Sequence, residues 1–149
     1  LGKFIQATEE YEQADTLYKT TGKYPPAPFY SDKARAHNQA GIQLGQSRKF
    51  EEALIQFKKS VQLDPKLLSA RFNLAKLLLE FENDSKKAAT HLKSALALNP
   101  TPQQTQVLKD LLNQIEKPSQ KWIDAPLCAG TRLCQWLFGW KLIEKNKRL

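Results

Sequence analysis

Methionine is absent from the 149 residues, and cysteine occurs only twice. Cys128 and Cys134 cannot staple a chain of this length and do not form a Cys-x-x-Cys pair, so a disulfide scaffold is excluded and the redox compartment stays open. Eight prolines and six glycines are near average usage, which excludes collagen-like and low-complexity chains. With 41% hydrophobic and 26% charged residues, the composition is that of one ordinary soluble domain with its own core. Because Met is missing and the first residue is Leu1, the chain is expected to be a fragment or processed product, with an upstream targeting or anchor segment not included.

Catalytic constellations are equally scarce. His37 and His91 have no Cys or carboxylate at metal-ligand spacing, so both are expected to be structural or surface residues, with no metal. There is no Gly-x-Ser-x-Gly turn, phosphate-binding loop or dinucleotide fingerprint. Gly41-Ile42-Gln43-Leu44-Gly45 contains Gly-x-x-x-Gly, but its polar setting points to close helix packing and not to a membrane dimer. Asn83-Asp84-Ser85 is a glycosylation sequon, which counts only in a secreted protein. The expectation is a protein that is not an enzyme and uses no cofactor.

What is present is positive charge: 23 Lys and Arg against 15 Asp and Glu give a net +8. Residues 1–32 carry 3 basic and 5 acidic groups, residues 33–100 carry 12 and 6, and residues 101–149 carry 8 and 4. Such a balance favours acidic partners, nucleic acid or anionic lipid, although evenly spread lysines also serve solubility alone. Nucleic acid is disfavoured, because no base-stacking aromatic platform accompanies the lysines.

Also present is an internal repeat. At an offset of 34, Ala40 matches Leu74, Gly41 matches Ala75 and Leu44 matches Leu78. At an offset of 35, Ala53 matches Ala88, Phe57 matches Leu92, Ser60 matches Ala95, Leu63 matches Leu98 and Pro65 matches Pro100. One residue is therefore inserted between the two sets, expected in a loop near Asn83-Asp84. Each unit reads as two amphipathic helices, with small residues where the backbones approach and a proline ending the unit.

The order Ala40-Gly41, Leu44, Phe50, Ala53, Phe57, Ser60, Pro65 resembles the tetratricopeptide repeat. The second unit is looser, with Leu92 in place of an aromatic, and His37 and Arg71 stand where that family prefers a large aromatic, so packing there is expected to be weaker or polar. The resemblance implies an all-α fold: a short α-solenoid of helix-turn-helix repeats over 34–67 and 68–101, with flanking N-terminal and C-terminal helices. Stacked repeats leave apolar ends to be covered. Thr101 can cap a helix, Pro102 suits its first position and Gln104 can complete a capping box, so a capping helix with Val107, Leu108, Leu111, Leu112 and Ile115 as its stripe is expected over 102–117. Residues 1–33 read as a helix followed by a Pro-rich loop. That helix fits either the first half of another repeat, through Tyr11, Tyr18, Gly22, Tyr24 and Ala27, or the second helix of a truncated one, through Ala7, Tyr11 and Ala14.

In the resembled family the first helix of each repeat lines a concave groove that holds a peptide or a helix. Here that implies Arg35, Asn38, Gln39, Ile42 and Gln46, then Ser69, Phe72, Asn73, Lys76 and Glu80. Amides pair with an extended backbone and cations favour carboxylates, so the partner is expected to be a protein segment, in one version an acidic one. The likeness to the clamp that holds chaperone C-termini is only partial, because Asn38 and Ile42 stand where it needs Lys and Asn. In the tail over 118–149, Leu133, Trp136, Leu137 and Trp140 fall at i, i+3, i+4 and i+7 ahead of Lys145, Lys147 and Arg148, an order that suits folding back, docking on a partner or lying on a membrane surface. Arg132, Gln135 and Lys141 argue against a span. The function expected is a scaffold, adaptor or assembly factor, with a membrane-associated subunit docking through the tail as the alternative; soluble and peripheral locations both stay open.

Overall fold

The computed structural model describes residues 2–116, which form six helices: α1 (Lys3–Thr21), α2 (Phe29–Gln46), α3 (Phe50–Leu63), α4 (Leu68–Glu80), α5 (Ser85–Leu96) and α6 (Pro102–Glu116). No strand occurs among them, so the fold is the expected all-α helical repeat. Leu133, Trp136, Leu137 and Trp140 lie outside the described residues.

Local chemistry sets the boundaries. α1 stops where Gly22 takes φ +66, and Pro25, Pro26 and Pro28 keep the next stretch from coiling. α2 then begins at Phe29, ahead of residue 34, where the repeat pattern opens. The early start has an aromatic cause: Phe29 is buried with its ring centroid 5.5 Å from Tyr11, 5.3 Å from Tyr18 and 5.3 Å from Tyr30, all edge to face. Between α2 and α3 the turn occupies residues 47–49, whereas between α4 and α5 it occupies 81–84, so the extra residue of the second unit falls in the loop where the offset changes. Asp84 caps α5 by accepting from the Lys87 amide at 2.9 Å. Ahead of α6, the Gln104 amide donates to Thr101 Oγ1 at 3.3 Å and the Thr101 amide donates to Gln104 Oε1 at 2.9 Å, the reciprocal box anticipated from the sequence.

α2 with α3, and α4 with α5, pack as hairpins, and each remaining helix packs on its chain neighbour. Leu74, Leu78, Leu92 and Leu108 are fully buried at the centre, and Ala53, Ala75, Ala88 and Ala95 have no exposed surface where helices meet. Gly41 faces the Phe57 ring so closely that a Cβ would lie 2.7 Å from Cε1. Ser60, also without exposed surface, donates its hydroxyl to the Ala34 carbonyl at 2.6 Å, tying α3 to α2.

α1 precedes α2 as α3 precedes α4 and α5 precedes α6, which puts it in the place of a second helix. Its Glu12 reaches Lys33 on α2 at 2.8 Å and Lys59 on α3 at 3.2 Å. Conversely, α6 occupies the place of a first helix.

Candidate functional site

The first helices α2, α4 and α6 share one face, and three open hollows lie along it. Between α2 and α4 is a hollow of about 250 Å³, where Gly41 and Gly45 present backbone beside Ile42, Asn73, Lys76 and Glu80. Between α4 and α6 are two more. One, of about 310 Å³, has Leu68, Phe72, Val107 and Leu108 as apolar wall and Asn73, Gln103 and Gln104 as amide rim. The other, of about 450 Å³, places Lys76, Glu80 and Asp110 around Phe72, Val107 and Leu111. Phe72 and Val107 border both, so the two hollows form a continuous apolar strip with polar edges.

The expected groove residues distribute unevenly over this face. Phe72, Asn73, Lys76 and Ile42 line hollows. Asn38 does not reach out: it is 4% exposed and its Oδ1 accepts from Asn73 Nδ2 at 3.0 Å, so its amide holds Asn73 in place. Arg35 and Gln39 are exposed on α2 but line none of the three hollows. Arg35 donates to Asp32 at 3.2 Å, and Lys76 stands 3.8 Å from Glu80 one helical turn on, so both cations sit beside carboxylates.

α6 contributes more than the sequence suggested. Its apolar stripe does not all face inward: Leu108 is buried, whereas Val107 is 52% exposed and turns to the hollows. Gln103, Val107, Leu111 and Gln114 recur at helical spacing and continue the α4 wall, a spacing present in the sequence but shared with the stripe that covers the core.

Behind this face, the α1 junction is a charge cluster. Lys33, with 3% of its side chain exposed, donates to Asp15 at 2.8 Å and to Glu12 at 2.8 Å. Those hydrogen bonds hold both carboxyls below the usual range against the opposing effect of burial. Burial presses Lys33 toward neutrality, but the two carboxylates outweigh it and raise its basicity. His37 is buried beside Gln56 Oε1, which is 2.7 Å from Nδ1, and its Nε2 is 3.4 Å from Glu12 Oε1. At that distance Nε2 has no well-formed hydrogen bond, and burial lowers the basicity of the ring. Arg71, at the matching position of the second repeat, donates to the Pro65 carbonyl at 2.6 Å, so both sites pack through polar contacts as expected. No cluster of three potential metal ligands occurs among the described residues, and no described helix is long and apolar enough to cross a membrane.

No family model matches the chain. Over 99 residues, 66% of its length, it is 31% identical to the peroxisomal targeting signal receptor of Candida albicans. Over 115 residues, 77% of its length, it is 27% identical to the peroxisomal targeting signal receptor of Candida glabrata. The chain spans 16% and 18% of those two relatives, less than a fifth of either. Together with the paired helices at a 34- to 35-residue period, these distant, partial matches support a tetratricopeptide-like relationship. Both relatives are named as receptors, consistent with a protein that is not an enzyme.

Proposed function

We propose that the chain is a non-catalytic interaction module, a scaffold, adaptor or assembly factor that holds a segment of a partner protein against the α2, α4 and α6 face. The apolar strip bordered by Phe72 and Val107 carries this reading, because it lies open to solvent, is framed by amides and is floored by α4 and α6. Asn73, fixed by Asn38, offers a positioned amide at its edge, able to donate to and accept from a peptide backbone. The matched proteins are by name receptors for a targeting signal, which agrees in kind with a recognition role.

The test is affinity capture from an extract of the source cells, using the full chain, with captured proteins identified by mass spectrometry. Phe72→Ala and, separately, Val107→Ser are expected to deplete the captured set while the far-UV circular dichroism is retained. Val107 is exposed, so its replacement keeps the test valid where Phe72→Ala weakens the fold. A captured set unchanged by both substitutions would place recognition elsewhere.

A further inference from the structure

Resting on that reading, we infer that the groove selects a segment carrying an apolar side chain with a lysine or arginine about one helical turn or a few extended residues away. The local charge runs against the charge of the whole chain. In the largest hollow, Glu80 and Asp110 face a single ammonium, that of Lys76, which stands 3.8 Å from Glu80. Asp110 accepts from Gln106 Nε2 at 2.8 Å, and among the described residues no cation lies within ion-pair distance of it. A face with one surplus carboxylate is thus set into a protein of net charge +8. That is the opposite of the acidic partner suggested by composition alone.

Range decides between the two. At physiological salt the screening length is about 8 Å, so lysines on the outer helices contribute little inside the hollow, while the two carboxylates on its rim act at contact distance. The apolar strip supplies the anchor and excludes water beside it, and the surplus carboxylate then favours a cation with many donors over a carboxylate it would repel. The recognised class is an apolar-plus-basic protein segment.

The experiment is selection of a displayed library of short random peptides on the full-length protein at physiological salt. Lys and Arg are expected to be enriched over Asp and Glu near the apolar anchor by about fivefold, the effect of one to two partly exposed ion pairs. Asp110→Lys combined with Glu80→Gln is expected to reverse the preference. Enrichment of Asp or Glu, an unchanged preference in that variant, or no enrichment at all would each overturn the inference. Val107→Ser separates the two levels. If an acidic preference disappears in Val107→Ser, the groove stands and only its charge selectivity is refuted; if any enrichment persists there unchanged, the groove itself is refuted.

Discussion

Gly41→Ala sets two known effects of opposite sign against each other. Replacing glycine inside a helix returns about 1 kcal/mol, because alanine has less backbone freedom to lose. The structure puts an obstruction in the way: the new Cβ would lie 2.7 Å from Phe57 Cε1 and 2.8 Å from Cδ1. Carbon atoms settle at about 3.5–4.0 Å, so the ring must retreat by about 1 Å. Phe57 is 5% exposed among Leu44, Leu54 and Leu77, which leaves it little room. Overpacking of this kind costs about 1–3 kcal/mol, so the net change is a loss of about 1 kcal/mol. In a Phe57→Leu background the obstruction shrinks, and the same Gly41→Ala change becomes neutral or stabilising by up to about 1 kcal/mol. Urea unfolding followed by far-UV circular dichroism reads both backgrounds from the midpoint at constant slope. The reasoning is refuted if Gly41→Ala alone raises the midpoint, or if it costs the same in both backgrounds.

Two further predictions concern the α1 junction. Lys33→Met leaves the buried Asp15 carboxylate with Lys19 as its one remaining cation and is expected to destabilise by about 2 kcal/mol, less than breaking a fully buried pair because Lys19 still reaches Asp15 at 3.0 Å and Glu12 keeps solvent and Lys59; Lys33→Met with Asp15→Leu should recover most of it, and a single substitution without effect in denaturant titration would refute the placement of Lys33. Stability should also fall on acidification in two stages. Below about pH 6.5 the unfolded chain protonates His37 and His91 while burial resists this in the folded state, and below about pH 4.5 Glu12 and Asp15, held low by Lys33, begin to withdraw their contribution. Lys33 has the opposite sign, contributing below about pH 10.5 and lost as pH rises through its elevated value. Thermal midpoints across this range should therefore decline from pH 7 to 5 by less in His37→Phe than in the parent, and a flat parent profile would contradict the argument.

Much of the fold was legible because repetition makes each position testable twice. The change of offset between Leu44 and Ala53 located an insertion, and the structure puts the longer turn there. Thr101 and Gln104 announced their own box. The early start of α2 was not legible, since Phe29 is drawn into the helix by Tyr11 and Tyr18, partners remote in sequence. Nor was the role of Asn38, whose family position suggested outward display although a neighbouring helix supplies Asn73 as its partner. Helical spacing shows which residues of α6 share a stripe, but not which edge of that stripe a neighbour leaves uncovered, so the sequence does not separate Val107, which faces the hollows, from Leu108, which faces the core.

The ionic character of the α1 junction gives the described row of helices a direction in its response to solution conditions. α1 fully buries only Thr8 and Asp15 and is tied by Lys33, Lys59 and a half-buried aromatic group, whereas α6 seats Leu108 in the core. Acid is therefore expected to loosen the described row first at α1, while α6, seated through Leu108, answers mainly to denaturant. The proposed binding face and the ionic junction thus sit on separate controls.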